Sequence, residues 1–184
     1  GLALMLAGLG VATTLPRPFL AAYAICALLS VVYSVPPFRL KAVAGADWLI
    51  NMVGFGFLTP YAGWALTVRA VAGPGRSVLV AFAVLFGALY PLTQLYQLEE
   101  DTRRGDRTLA CVLGLDRSLL VALVAAGVAF GGFVVAGLES QWGIGLAGLV
   151  RWAAVAAAAA AWAAVLLPWW RDRRIMDPAA HQAG

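Results

Sequence analysis

The chain has 184 residues, of which 62% are hydrophobic and only 12% charged, with a net charge of +4. A soluble domain of this length is nearer half apolar and a quarter charged, so the excess apolar surface must face lipid. This balance excludes an ordinary soluble enzyme, and the mild positive charge calls for no nucleic-acid partner, because in a membrane protein the distribution of cations matters more than their sum. The two cysteines, Cys26 and Cys111, lack metal or redox spacing and read as passive. The single histidine, His181, lies in a polar tail and is a poor candidate for a catalytic imidazole.

The chain reads as a single transmembrane domain, residues 1–184, all-α and polytopic. The first apolar stretch, Leu2 to Leu15, is 14 residues long, short of the roughly 20 that cross a bilayer. It lacks the basic start and small-residue cleavage site of a signal peptide, and reads as the back half of a cut helix (about 1–15). Five further spans follow at about 19–35, 48–68, 77–97, 118–138 and 144–170, each bounded by charges or by Pro and Gly. These runs are too long and too unalternating for barrel strands, which leaves helices.

Alternating the sides across these spans sorts the cations. Arg39, Lys41, Arg103, Arg104, Arg107, Arg117, Arg171, Arg173 and Arg174 fall on one side, nine in all; Arg17, Arg69 and Arg76, three, fall on the other. The bias assigns the first side to the cytoplasm. Asp47, Glu99, Glu100, Asp101, Asp106, Asp116, Asp172 and Asp177 all share that side, and only Glu139 does not. Acids contribute little to topology, so their clustering points to chemistry on one face.

Two polar loops carry that chemistry. In Tyr33-Ser-Val-Pro-Pro-Phe-Arg-Leu-Lys41, Pro36 and Pro37 stop the helix. Arg39 and Lys41 then stand at the membrane surface, with Tyr33 and Ser34 one turn inside. A guanidinium, an ammonium and two hydroxyls there suit an anionic head such as a diphosphate. The plainer reading is a proline stop, cations obeying the positive-inside rule, and Asp47 capping the next helix. The second loop runs Gln97-Leu-Glu-Glu-Asp-Thr-Arg-Arg-Gly-Asp-Arg-Thr-Leu109. If the preceding helix continues through it, Gln97 and Asp101 share a face with Glu100 beside them. Such a group suits Mg²⁺, which takes one or two carboxylates plus substrate phosphates, with Arg104 and Arg107 meeting further phosphate oxygens. The competing reading has Glu99–Arg103 and Glu100–Arg104 as i,i+4 pairs, Gly105 as a helix stop and Asp116 as the next cap. Jointly, the loops supply acids, cations and hydroxyls at one surface, and a divalent ion bridging acids to a diphosphate accounts for both.

These residues resemble the UbiA superfamily of intramembrane prenyltransferases. YSVPPFRLK, with Asp47 and Asn51 after it, is similar to that family's loop between its fourth and fifth helices. YQLEEDTRRGDRTLA is similar to its second Asp-rich motif, and the intervening span, with Gly54, Gly56 and the Pro60-Tyr61-Ala62-Gly63 step, also fits. The resemblance implies a bundle of nine helices, of which this chain covers about the third to the eighth. It implies a central cavity open to lipid, Mg²⁺ as cofactor, a prenyl diphosphate donor and an aromatic or other lipophilic acceptor. By the same resemblance Asp101 is the leading catalytic and metal-binding residue, with Glu100 and Gln97 as further metal ligands, Gln97 standing where the family usually has Asp. Arg39 and Lys41 join the catalytic set, and Tyr33, Ser34, Asn51, Gln97, Arg104, Asp106 and Arg107 bind substrate. The family's first Asp-rich motif belongs upstream of Gly1 and its ninth helix beyond Arg174, so the chain alone is expected to be inactive. The expected location is a bacterial inner membrane, multi-pass, with the active site facing the cytoplasm. Two other readings stay open. A transporter or channel would place charges near the bilayer midplane, whereas here nearly all lie at span ends. A non-catalytic family member acting as a membrane scaffold would draw support from Gln97.

Overall fold

A computed structural model describes residues 1–172; Arg173, Arg174, Asp177 and His181 lie outside the described residues. The described chain is built of helices joined by turns: α1 (Leu2–Ala12), α2 (Arg17–Ser34), a 3₁₀ turn (Leu40–Ala42), α3 (Ala46–Asn51), a π-helical segment (Met52–Leu58), α4 (Thr59–Ala65), α5 (Gly73–Leu95), α6 (Leu98–Arg104), α7 (Leu109–Glu139, interrupted at Gly114 by φ 69° and ψ 179°) and α8 (Leu146–Asp172). Four of them, α2, α5, α7 and α8, are long and apolar enough to cross a membrane. The span expected at 48–68 is a relay of α3, π segment and α4. Gly54 and Gly56 permit the wider turn. At its end Thr59 bonds the Gly54 carbonyl through both its backbone N–H and its hydroxyl, the latter at 2.9 Å. Single π turns inside helices are frequent at functional sites.

The centre of the fold is the seam between α5 and α7, closed by α8. Ala88 and Leu92 of α5 pack with Leu119, Ala122 and Ala126 of α7 and with Leu166 and Trp169 of α8. Small residues let apolar helices approach closely enough for dispersion forces to hold them where no hydrophobic effect operates.

On its other side α5 carries α3. Pro91 lies inside α5 and has no N–H to give the carbonyl four residues back. That carbonyl, on Gly87, instead accepts a hydrogen bond from the Trp48 indole at 2.7 Å. Thus the proline leaves an acceptor, and α3 fills it. The π segment crosses α5 at Gly56, where an added Cβ would lie 2.7 Å from Ala83 Cα. Gly56→Val is therefore expected to cost about 1–3 kcal/mol through overpacking, read as a lower unfolding temperature in detergent. An unchanged temperature would mean that this crossing is loose.

Candidate active site

Three fixings join the two polar loops. Arg39 and Asp106 form a two-pronged ion pair, with guanidinium–carboxylate distances of 2.9 and 3.0 Å. Arg39 reaches it from a left-handed backbone conformation, φ 37°, which a non-glycine residue adopts at a cost of about 1 kcal/mol or more. Next, Val43 and Arg107 make an isolated parallel β-bridge, in which the Arg107 N–H donates to the Ala42 carbonyl at 3.0 Å. Finally, Asp47, fully buried, accepts the Leu109 N–H at 2.8 Å.

The expected continuation of α5 through Gln97 does not occur. The helix ends at Leu95, a turn takes up Tyr96 and Gln97, and α6 starts anew. Gln97 and Asp101 nevertheless remain one turn apart, because the Asp101 N–H bonds the Gln97 carbonyl at 2.8 Å. At its far end α6 closes in a Schellman cap. Gly105 is left-handed, φ 74°, its N–H bonds the Thr102 carbonyl, and the Asp106 N–H bonds the Asp101 carbonyl at 2.9 Å. The cap folds Asp106 back beneath Asp101, which brings the two acids to one cavity.

That cavity is polar, with a volume of about 210 Å³. Asp101, Asp106, Lys41 and Arg104 supply its charges; Tyr33, Tyr90, Thr93 and Thr108 supply hydroxyls, and Gln94 and Gln97 amides. A second, apolar cavity of about 300 Å³ lies between α2 and the α3–π–α4 relay, lined by residues that include Leu29, Ile50, Gly54 and Phe55. Tyr33 lines both cavities. Its hydroxyl is 2.7 Å from that of Tyr90, which also accepts from Gln94 Nε2 at 3.3 Å. A polar compartment and an apolar one therefore meet at a pair of hydrogen-bonded phenols.

Asp101 is buried, and its carboxyl is held above the usual carboxylate range. Burial is the main cause, with repulsion from Asp106 and Glu100 adding to it; Arg104 and a hydrogen bond from Thr108 partly offset these. A cation beside Asp101 would relieve both the burial cost and the repulsion.

The structure brings Asp101, Gln97, Arg104, Asp106, Lys41 and Tyr33 to the polar cavity, and Ser34 and Asn51 to the apolar one. Glu100 lines neither: it is exposed and ion-paired with Arg104, as Glu99 is with Arg103. The Arg107 side chain is also exposed, its backbone alone taking part in the loop junction. Arg39 faces Asp106, both of whose oxygens it occupies. Sequence reasoning left out Tyr90 and Gln94, and read Asp47 only as a helix cap and as part of the family-like loop. A clue was available, since Tyr90 and Gln94 are polar residues one turn apart on an otherwise apolar helix, and intramembrane polar groups point inward to partners.

Among the described residues no group of three or more His, Cys, Asp or Glu is placed to hold a metal ion. The donor set of one uncommitted acid, Asp101, with the Gln97 amide is too small for a bare ion. It fits Mg²⁺ arriving with a diphosphate, since Mg²⁺ takes one or two carboxylates and fills its other positions with phosphate oxygens and water.

The profile of the UbiA prenyltransferase family matches residues 1–181. Three solved structures of a UbiA homolog from Archaeoglobus fulgidus share the fold. The one bound to Cd²⁺ has 19% identity and a TM-score of 0.73, over 99% of this chain and 70% of that one. The one bound to DMAPP and Mg²⁺ has 18% identity and a TM-score of 0.74, over 99% of this chain and 66% of that one. A third has 18% identity and a TM-score of 0.73, over all of this chain and 61% of that one. No curated protein matches. The match along nearly the whole sequence and the shared helical fold agree: the chain belongs to the UbiA prenyltransferase family.

Proposed function

We propose that the protein carrying this chain transfers a prenyl group from a prenyl diphosphate to an aromatic or other lipophilic acceptor within the membrane. Family membership supports prenyl transfer in general, and a homolog of this fold has been solved with DMAPP and Mg²⁺. The observation that carries the reading for this chain is the meeting of the polar and apolar cavities at Tyr33. A prenyl diphosphate has the same two-part character, a highly charged head on a hydrocarbon tail. Its head suits the compartment of Lys41, Arg104 and Asp101, and its tail the compartment of Leu29, Ile50 and Phe55, which leaves the reacting carbon near the phenols.

In this reading Asp101 and the Gln97 amide hold Mg²⁺, which when bound offsets the charge on the departing diphosphate. Lys41 and Arg104 bind the remaining phosphate oxygens. Glu100 orients Arg104 from outside the cavity, and Arg39 orients Asp106. The allylic C–O bond breaks with its electron pair leaving on the diphosphate; the acceptor's nucleophilic atom bonds to the freed carbon and then loses its proton to water. The Tyr33 and Tyr90 rings stand where the positive charge develops, and aromatic faces stabilise cations. Ser34 and Asn51 line the tail compartment together with Ser30, Tyr33 and Thr59, and supply polar groups along its wall. The active face is assigned to the cytoplasmic side of a bacterial inner membrane.

The test is transfer of radiolabelled prenyl groups into the lipid extract of membranes containing the protein. Incorporation is expected with Mg²⁺ and should be lost on chelation with EDTA and regained on adding Mg²⁺ back. Incorporation that is indifferent to EDTA, or none at all, would overturn the proposal.

A further inference from the structure

The first N–H groups of any helix have no partner within it. In α7 these are Leu109, Ala110 and Cys111, since Val112 already bonds the Thr108 carbonyl at 3.1 Å. Cys111 N–H goes to the Thr108 hydroxyl at 3.4 Å, an ordinary local cap. The other two leave the helix altogether. Leu109 N–H donates to Asp47 Oδ2 on α3 at 2.8 Å, and Ala110 N–H donates to Gln94 Oε1 on α5 at 3.3 Å. Gln94 Nε2 in turn donates to Asp47 Oδ2 at 2.6 Å and to the Tyr90 hydroxyl at 3.3 Å. Three helices thus meet on one carboxylate oxygen and one amide.

The amide cannot turn over. Its oxygen is required by an N–H and its nitrogen by a carboxylate, so reversal would set donor against donor and acceptor against acceptor. The carboxylate suits its place, because it accepts a backbone N–H that has no partner within its own helix. Its second oxygen, Oδ1, is buried without a hydrogen-bond partner. A purely structural residue gains nothing from an orphaned buried oxygen, whereas fixing a geometry explains why it is tolerated. From this knot a short chain runs each way. Residues 106–109 lead back to the Schellman cap that carries Asp101, while Tyr90 leads to Tyr33, where the cavities meet.

We propose that Asp47, acting through Gln94 and the start of α7, is a positioning residue that sets Asp101 and the Tyr33–Tyr90 pair in register with each other. The proposal rests on the prenyl-transfer reading for its consequence, though not for its structural basis. Two measurements on the protein in detergent or nanodiscs separate these. The first is amide exchange over 106–112, which needs no activity. Asp47→Ala is expected to speed exchange at Leu109, which loses its acceptor, by roughly tenfold or more, and to a lesser degree at Ala110, whose acceptor Gln94 loses the carboxylate that fixes its amide. Asp47→Asn, whose side-chain oxygen still accepts both hydrogen bonds, is expected to retain most of it. The second is steady-state transfer. Asp47→Ala is expected to lower kcat roughly tenfold or more, with KM for the prenyl diphosphate moving less than threefold, because a displacement of about 1 Å is felt in the reaction more than in binding. Asp47→Asn should recover most of that loss. Should Asp47→Ala not fold, Gln94→Leu takes its place in both measurements, with acceleration expected at Ala110. Unchanged exchange overturns the latch. Changed exchange with unchanged kcat, or activity lost only in proportion to folded protein, overturns its role in positioning. Absence of transfer in the unaltered protein counts against the functional reading and leaves the exchange result to decide the latch.

Discussion

Asp101→Asn is expected to lower Mg²⁺-dependent prenyl transfer by roughly 10²–10³-fold, the usual effect of removing one charge-stabilising group from a reaction site. The substitution keeps size and one acceptor oxygen, so the fold should be little disturbed. It should even be relieved, because Asp101 is a buried acid crowded by Asp106 and Glu100. The pairing of lost transfer with equal or higher unfolding temperature distinguishes a functional acid from a structural one. Glu100→Gln makes the control: its carboxylate lies outside the cavity on Arg104. Its effect on transfer should be far smaller, and comparable losses in the two variants would move the metal-binding role to Glu100.

Arg39→Ala is expected to act first on stability. The Arg39 side chain is 39% exposed, whereas that of Asp106 is 7% exposed. Truncation therefore strands a nearly buried carboxylate, at a cost of about 1–3 kcal/mol once the solvent exposure of the arginine is allowed for. The strained left-handed backbone at residue 39 would relax at the same time, which loosens the loop further. Arg39→Lys should restore little, since an ammonium cannot meet both oxygens in the planar fork that the guanidinium provides. In a double-mutant cycle with Asp106→Asn the two losses should be strongly non-additive. Additive losses would show that the pair is incidental and that Arg39 acts elsewhere.

The helical membrane architecture was legible because hydrocarbon imposes so few options: long apolar runs must be helices, and charges must sit at their ends. Boundaries were less so. The helix expected to start near Ser118 is preceded by a short turn from Leu109, capped by Thr108, and the two join across a break at Gly114 (φ 69°, ψ 179°). Asp116, read as the cap of that span, lies two residues beyond the break, and the added turn before it was not visible because Gly114 alone does not reveal that helix resumes on both sides. The juxtaposition of the two polar loops followed from topology, whereas the partner choices within it did not. Arg39 is an attractive diphosphate ligand in sequence, yet three-dimensional proximity gives it to Asp106. Glu100 shares a loop with Asp101, yet helical geometry turns it outward onto Arg104. Asp47 illustrates the harder case. An acid at the start of a span reads as a local cap, and nothing local reveals that the helix it caps begins sixty-two residues later. Nor does the sequence pair Trp48 with the carbonyl that Pro91 leaves open, since such pairings depend on packing between helices.

The most direct test of the site is electron paramagnetic resonance of Mn²⁺, substituting for Mg²⁺, on the purified protein with and without an allylic diphosphate. Little Mn²⁺ should bind alone, a bound signal should appear when the diphosphate is added, and that signal should be lost in Asp101→Asn. A bound signal that forms without diphosphate, or that survives unchanged in Asp101→Asn, would contradict the Mg²⁺ site proposed at Asp101.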